Sequence, residues 1–209
     1  MSKTYAIAAG AVVVALLGGT FAATQINGSD DVFAQCRAST AAGGAIGGPF
    51  ELVRDDGVTV TDQDVITGPT LIYFGYTFCP DVCPLDVLRN AQAVEIVEEE
   101  QGDTVTPVFI SIDPERDTVD VVRDFADNFS DDMIGLTGSP EQVRAASQAY
   151  RTYYAKQDSD DDYYLVDHTS LSYLVFPDHG FVEFFRRDVP PEDMAQSLAC
   201  FVDAADRAS

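Results

Sequence analysis

Residues 70–100 read TLIYFGYTFCPDVCPLDVLRNAQAVEIVEEE, and the organisation of the chain follows from this stretch. Thr70–Tyr76 is a continuous apolar, β-rich run, the pattern of a strand buried on both faces. Residues 83–100 switch to helical spacing, with Leu85, Leu88, Ala91, Val94 or Glu95, and Val97 near the apolar period. Cys79 and Cys83 stand four positions apart across the strand-to-helix junction, a spacing that puts two side chains on one helix face, a turn apart. The partial positive charge of a helix N-terminus favours thiolates there, and thiolates are the form that binds soft metals and attacks disulfides. Pro80 and Pro84 remove amide donors and stiffen the loop. The two sulfurs can therefore close on one metal ion or on each other.

On the N-terminal side of this stretch, FELVR, the Asp56-Gly57 turn and VTVT read as a β-hairpin. On the C-terminal side, TPVFISID (106–113) is a second buried strand, and a helix is expected from near Asp117 to before Ser130. IGLTG (134–138) is a short strand, and Ser139-Pro140-Glu141-Gln142 is a helix start, with the helix running to about Arg151. The acidic run Asp158–Asp162 is a solvated turn between YYAKQ and YYLVD. LSYLVF and FVEFF flank the Pro177–Gly180 turn as a second hairpin, and Pro190-Pro191-Glu192 opens a last helix ending near Ala205. This order is an α/β pattern with a mixed sheet flanked by helices. A first strand ending in a cysteine motif that opens a helix is how a thioredoxin-like fold presents its reactive site. Residues 106–152 are then the insertion and crossover between its two halves.

The N-terminal run from Tyr5 to Thr24 carries no charge, long enough at helical rise to span a bilayer. Lys3 precedes it and Asp30 and Asp31 follow it, which leaves the N-terminus in the cytoplasm and exports the rest. Residues 1–27 are accordingly expected to be a single transmembrane helix in the cytoplasmic membrane. A cleaved signal peptide, with Thr20 and Ala22 at its cleavage site, is the competing reading, and it exports the domain equally. The small, polar, Gly-rich residues 28–48 read as a flexible tether, and residues 49–209 as the domain on the periplasmic side. Thirty-five acidic residues against 12 basic ones give a net charge of −23, which excludes a nucleic-acid partner. Such self-repulsion is tolerable in a salty external medium; a docking surface for a basic partner is the sharper alternative. Cys36, in the tether, and Cys200, in the last helix, bracket the domain. Spare cysteines outside the cytoplasm often pair, and the residues leave open whether these do.

Two thiolates leave most metals under-coordinated, and the chain has two histidines. His179 lies in the turn sequence Pro-Asp-His-Gly, whereas His168 lies between extended segments, where a thioredoxin-like fold brings a loop over the cysteines. A set of Cys79, Cys83 and His168 suits thiophilic copper, as Cu(I) or Cu(II). Read alone, His168 is equally an ordinary buried hydrogen-bonding residue. Asp167 could orient the His168 loop, or be a plain loop carboxylate. Asp117 reads most simply as a helix N-cap, Arg116 as a partner for a carboxylate, Asp113 as a loop residue near the site, and Tyr76 and Phe78 as loop packing.

FGYTFCPDVCP (74–84), SIDPERDT (111–118) and DHTSLSYLV (167–175), in this order, resemble the SCO/SenC family of copper proteins that serve cytochrome c oxidase assembly. The resemblance spans about Gly47 to Ala204. It implies a thioredoxin fold and copper held by Cys79, Cys83 and His168. The implied role is a metallochaperone's, delivering copper or reducing power to the binuclear copper centre of the copper-receiving oxidase subunit. Phe176 departs from the pattern, since relatives often carry an acidic residue before the proline turn; it touches the hairpin and not the ligands. The alternative is a membrane-anchored thiol-disulfide oxidoreductase with Cys79 and Cys83 as its redox pair. A peroxidase of the same fold is a weaker third reading.

Overall fold

The computed structural model describes residues 31–37, 46–158 and 163–208. Its elements are β1 (Glu51–Arg54), β2 (Thr59–Thr61), α1 (Asp62–Val65), β3 (Thr70–Gly75), α2 (Val82–Gln101), β4 (Thr106–Ser111), α3 (Val119–Asp127), β5 (Ile134–Thr137), α4 (Pro140–Ala149), β6 (Tyr154–Lys156), β7 (Val166–His168), β8 (Leu171–Phe176), β9 (Gly180–Arg186) and α5 (Pro191–Ala208). Residues 5–24, expected to span a membrane, lie outside the described residues. No described helix is long and apolar enough to cross one.

β3 runs through the interior of a seven-stranded sheet ordered β2-β1-β5-β4-β3-β8-β9, parallel to β4 and antiparallel to β8. All six of its residues are buried, as its unbroken apolar run requires. Leu71 joins a core with Ala93 and Val97 of α2 and Leu198 and Phe201 of α5, while Ile72 joins another with Val122 of α3 and Val143 of α4. The sheet is thus covered by helices on both faces, a mixed α/β architecture consistent with a thioredoxin-like domain. Each fully buried aliphatic or aromatic side chain here contributes about 1.5–3 kcal/mol relative to exposure.

Local signals formed as expected at several places. Gly57 turns the β1–β2 hairpin with φ +84°, in the left-handed region that favours glycine. Ser139 accepts from the Gln142 amide, and Gln142 reaches back to the Ser139 backbone, closing a capping box on α4. Asp117 differs from expectation: α3 starts one residue later, with Thr118 in the N-cap position, and Asp117 is fully buried. The inward face of α2 also differs. Leu85 and Leu88 are 55% and 42% exposed, while Asp86, Arg89 and Asn90 are buried. Residues 159–162 of the acidic run, expected to be a solvated turn, lie outside the described residues; the segments before and after it pair as β6 and β7, a two-stranded ribbon separate from the main sheet.

Residues 31–37 sit inside the stretch read as a tether, yet they lie on the domain. Phe33 is buried between Phe176 and Phe201, with ring centroids 5.6 and 5.5 Å away. Arg37 Nε donates to the Val182 carbonyl. Cys36 forms a disulfide with Cys200 across a sequence separation of 164. The pairing that the sequence left open is therefore made. Closing so long a loop constrains the unfolded chain, and losing a native disulfide of this kind costs about 2–4 kcal/mol. The Cys36→Ser/Cys200→Ser variant is expected to melt roughly 4–16 °C below the parent. Calorimetry of the two proteins checks this, and equal melting points would show a bridge without stabilising effect.

Candidate metal centre

Gly75 ends β3, and its lack of a side chain makes room for the site. A Cβ there would stand 3.1 Å from Cys83 Sγ and 2.8 Å from the Tyr73 ring, contacts that real Cβ atoms do not tolerate without movement. The chain then turns through Thr77–Asp81 into α2. Asp117 holds this turn from below: it accepts from the Thr77 amide at 3.0 Å, the Thr77 hydroxyl at 2.6 Å and the Ser111 hydroxyl at 2.6 Å. Burial raises its pKa, and these three donors oppose that. The carboxylate read as a helix cap instead ties the cysteine turn to the end of β4.

Cys79 Sγ accepts a hydrogen bond from the Cys83 amide at 3.2 Å, so the sulfur caps the first turn of α2. Cys79 is 9% exposed and Cys83 fully buried. The Cys79 pKa is held down to about 3, first by the Cys83 thiol donating to it, then by His168 and helix-start amides, against the effect of burial. Cys83 moves the other way, because it keeps the proton it donates and is buried. The pair therefore holds one proton, with Cys79 the thiolate and Cys83 the thiol. Both cysteines are free.

His168 ends β7, and its Nε2 lies 3.3 Å from Cys83 Sγ. Its Nδ1 lies 3.1 Å from the Thr169 carbonyl oxygen, which can only accept. With Nδ1 donating to that carbonyl, the ring is held with Nε2 toward the sulfurs. The edges and faces of Tyr73 and Tyr76 confine the ring, with centroids at 6.2 and 5.9 Å and interplanar angles near perpendicular. Among the described residues, Cys79, Cys83 and His168 are the one group of metal-ligating side chains that converges, with ligand atoms within 4.8 Å of one another.

Of the other candidates, Tyr76 lies beside the cysteine sulfurs, and the rest make their contacts elsewhere. Asp167 is exposed and accepts from Gln157 Nε2 at 2.7 Å; the Thr169 carbonyl takes the role of orienting the imidazole. Asp113 faces Arg116 and the Tyr164 hydroxyl. Tyr76 is buried and its hydroxyl accepts from the Val166 amide, while Phe78 is 46% exposed against Tyr163 and Arg116. His179 sits in its turn with the ring edge-on to Phe33 and Phe176.

Behind the sulfurs lies a polar layer that apolar periodicity concealed. The Tyr73 hydroxyl donates to Asp86 Oδ2 at 3.1 Å, and Asp86 pairs with Arg89 at 3.6 Å. Arg89 donates to the Arg186 carbonyl and to Ser172 and Asn90, and Ser172 closes the network on Asn90. Asp86 follows Cys83 by three positions and Arg89 follows Asp86 by three, so two successive helical steps from the cysteine lead to them.

One thiolate per chain is expected in the reduced, metal-free protein down to about pH 4, far below a free thiol's pKa of about 8.5. The depressed Cys79 contributes stability that is complete above the free-thiol value and is lost as pH falls toward about 3. The raised Cys83 contributes stability that is present below the free-thiol value and is lost as pH rises through its folded pKa. Thiolate ultraviolet absorbance against pH measures this, with Cys79→Ser as the control. Disappearance of the absorbance near the free-thiol value would show that neither sulfur is held anionic.

The family model described as SCO1/SenC matches residues 38–203. Protein SenC of Rhodobacter capsulatus is 52% identical over 204 residues, covering 97% of this chain and 92% of that protein. The mitochondrial SCO1 homolog of Homo sapiens is 41% identical over 157 residues, covering 74% of this chain and 52% of that protein, so the chain spans about half the length of that relative. Among solved structures, Arabidopsis thaliana ScoI with copper bound superposes with a TM-score of 0.72 at 42% identity, covering 78% of this chain and 99% of that one. Matches of this extent and identity, running through the turn-to-helix cysteines, place the chain in the SCO1/SenC family.

Proposed function

We propose that this protein is a copper carrier for assembly of the binuclear copper centre of cytochrome c oxidase, with Cys79, Cys83 and His168 as its ligands. The working domain lies outside the cytoplasm, held to the membrane by residues 1–27. The observation that carries the reading is the convergence of two sulfurs and one imidazole nitrogen within 4.8 Å of one another. Three donors around one ion at bonds of about 2.0–2.3 Å stand about 3.5–4 Å apart, so small shifts suffice for them to share an ion. Two sulfurs and an imidazole form a soft set that selects copper over hard cations. Support comes also from relatives whose structures hold copper, those of Arabidopsis thaliana and yeast.

The chemistry follows from the protonation of the pair. The Cys79 thiolate is the first donor for incoming Cu(I), and Cys83 must release its proton to become the second. Loading one Cu(I) therefore frees one proton to solvent. His168, held by Thr169, supplies Nε2 as the third donor. Delivery runs by ligand exchange, in which thiolates of the receiving subunit replace Cys79 first, the more accessible of the two sulfurs.

The same asymmetry favours one other reading. A thiolate beside a buried thiol is an attacking and a resolving cysteine: Cys79 would displace one sulfur of a client disulfide, and Cys83 would then release the reduced client, leaving Cys79–Cys83 oxidised. Regeneration would need an external dithiol reductant. That chemistry does not require an imidazole nitrogen as a ligand, whereas copper binding does, and this separates the two readings.

Titration of the exported domain with Cu(I) at neutral pH is expected to give one tightly bound ion and about one released proton per chain. His168→Ala is expected to lose about 100-fold or more in affinity, since it removes a ligand and even an outer-shell change costs about 10–100-fold. Competition against a chromophoric chelator measures both proteins. Equal affinity in His168→Ala, with disulfide exchange abolished in Cys79→Ser, would decide for the reductase.

A further inference from the structure

Asp113, Arg116 and Tyr164 supply no ligand, yet they connect the two segments that do. His168 is on the β6–β7 ribbon, which forms no ladder with the main sheet. Side chains must therefore fix the ribbon to the body. Arg116 stands where the segments meet. Its guanidinium carbon lies 3.6 Å from the Tyr164 ring centroid, on the chain leading into β7, and 4.8 Å from that of Phe78, the residue before Cys79. Its Nη1 donates to the Tyr164 carbonyl at 3.0 Å and its Nε pairs with Asp113. The Tyr164 hydroxyl donates to the other Asp113 oxygen at 2.7 Å. Lys156 of β6, paired with Glu115, lies 3.6 Å from the same ring centroid. One carboxylate, one guanidinium and one phenol thus close a loop of contacts around the base of the ribbon.

We propose that Arg116 is a positioning residue for His168, the bolt of a latch that holds the imidazole over the cysteines. A planar guanidinium fork is suited to this, because Nε donates to Asp113 and Nη1 to the Tyr164 carbonyl while the group packs against rings from both segments. A lysine retains the charge but neither the fork nor the stack. Releasing the latch frees the ribbon, and with it the third ligand, without touching either sulfur. The site then falls back to a dithiol that holds copper less tightly.

This inference rests on the copper reading, and the test separates the two. Load the full-length wild type, Arg116→Ala, Arg116→Lys and Tyr164→Phe proteins with Cu(II) and record imidazole nitrogen coupling by pulsed EPR; measure Cu(I) affinity and melting in parallel. The wild type is expected to show imidazole coupling. Arg116→Ala is expected to lose that coupling and about tenfold or more in affinity, while both thiols remain titratable and melting stays within a few degrees. Arg116→Lys is expected not to restore the coupling, and Tyr164→Phe, which keeps the stack, is expected to weaken it. Should Arg116→Ala fail to fold, Arg116→Lys carries the decision. Wild-type coupling and affinity in a folded Arg116 variant would overturn the latch. Absence of coupling in the wild type itself would overturn the copper reading first.

Discussion

A single contact organises the rest: His168 Nε2, eighty-five residues downstream of Cys83, stands 3.3 Å from its sulfur. Neither partner can be placed locally. The cysteines are placed by the end of a buried strand and the start of a helix, where Gly75 leaves space and Asp117 anchors the turn. The histidine arrives on a ribbon that leaves the main sheet after α4 and returns to it at β8. Most of the sheet exists, in effect, to fix the strand end against which these two approaches are measured. The chemistry is local, but the constraint is global.

The helix that carries Cys83 shows what that constraint does to packing. α2 buries Asp86, Arg89 and Asn90 and leaves Leu85 and Leu88 toward solvent. A buried ion pair rarely adds net stability over an apolar replacement, because desolvation offsets the attraction. Its value here is geometric. Asp86 accepts from Tyr73, whose ring bounds the imidazole, and Arg89 ties the same helix to Ser172 of β8 and to the Arg186 carbonyl of β9. The orientation of α2, and so of Cys83, is set by directional bonds and not by apolar fit alone.

This explains what the sequence made legible. Thr70–Gly75, the Gly57 hairpin and the Ser139 capping box each rest on signals within a few residues, and each formed where expected. The Cys79–Cys83 spacing is a signal of the same kind. Asp117 misled because a carboxylate before a helix is read as a cap, whereas Thr77, forty positions earlier, offers it two donors. The inward face of α2 misled because periodicity counts apolar residues, and this face is partly polar. The β6–β7 ribbon is three residues per strand, too short for alternation to register. What local patterns could not carry was, in each case, a partner distant in sequence.

The two cysteine pairs show how the fold assigns different chemistry to one residue type. Cys36 and Cys200 meet where Phe33 docks against Phe176 and Phe201, so the contact that buries Phe33 also sets the two sulfurs side by side. Packing brings these two together, and the covalent bond is their resting state. Cys79 and Cys83 meet at a helix start, where amides, a neighbouring thiol and an imidazole all favour a thiolate on Cys79. Stabilising the reduced form of a pair makes its disulfide easier to reduce. The environment that prepares these sulfurs for a metal therefore also opposes their oxidation to each other. One fold can in this way keep one pair closed and the other open.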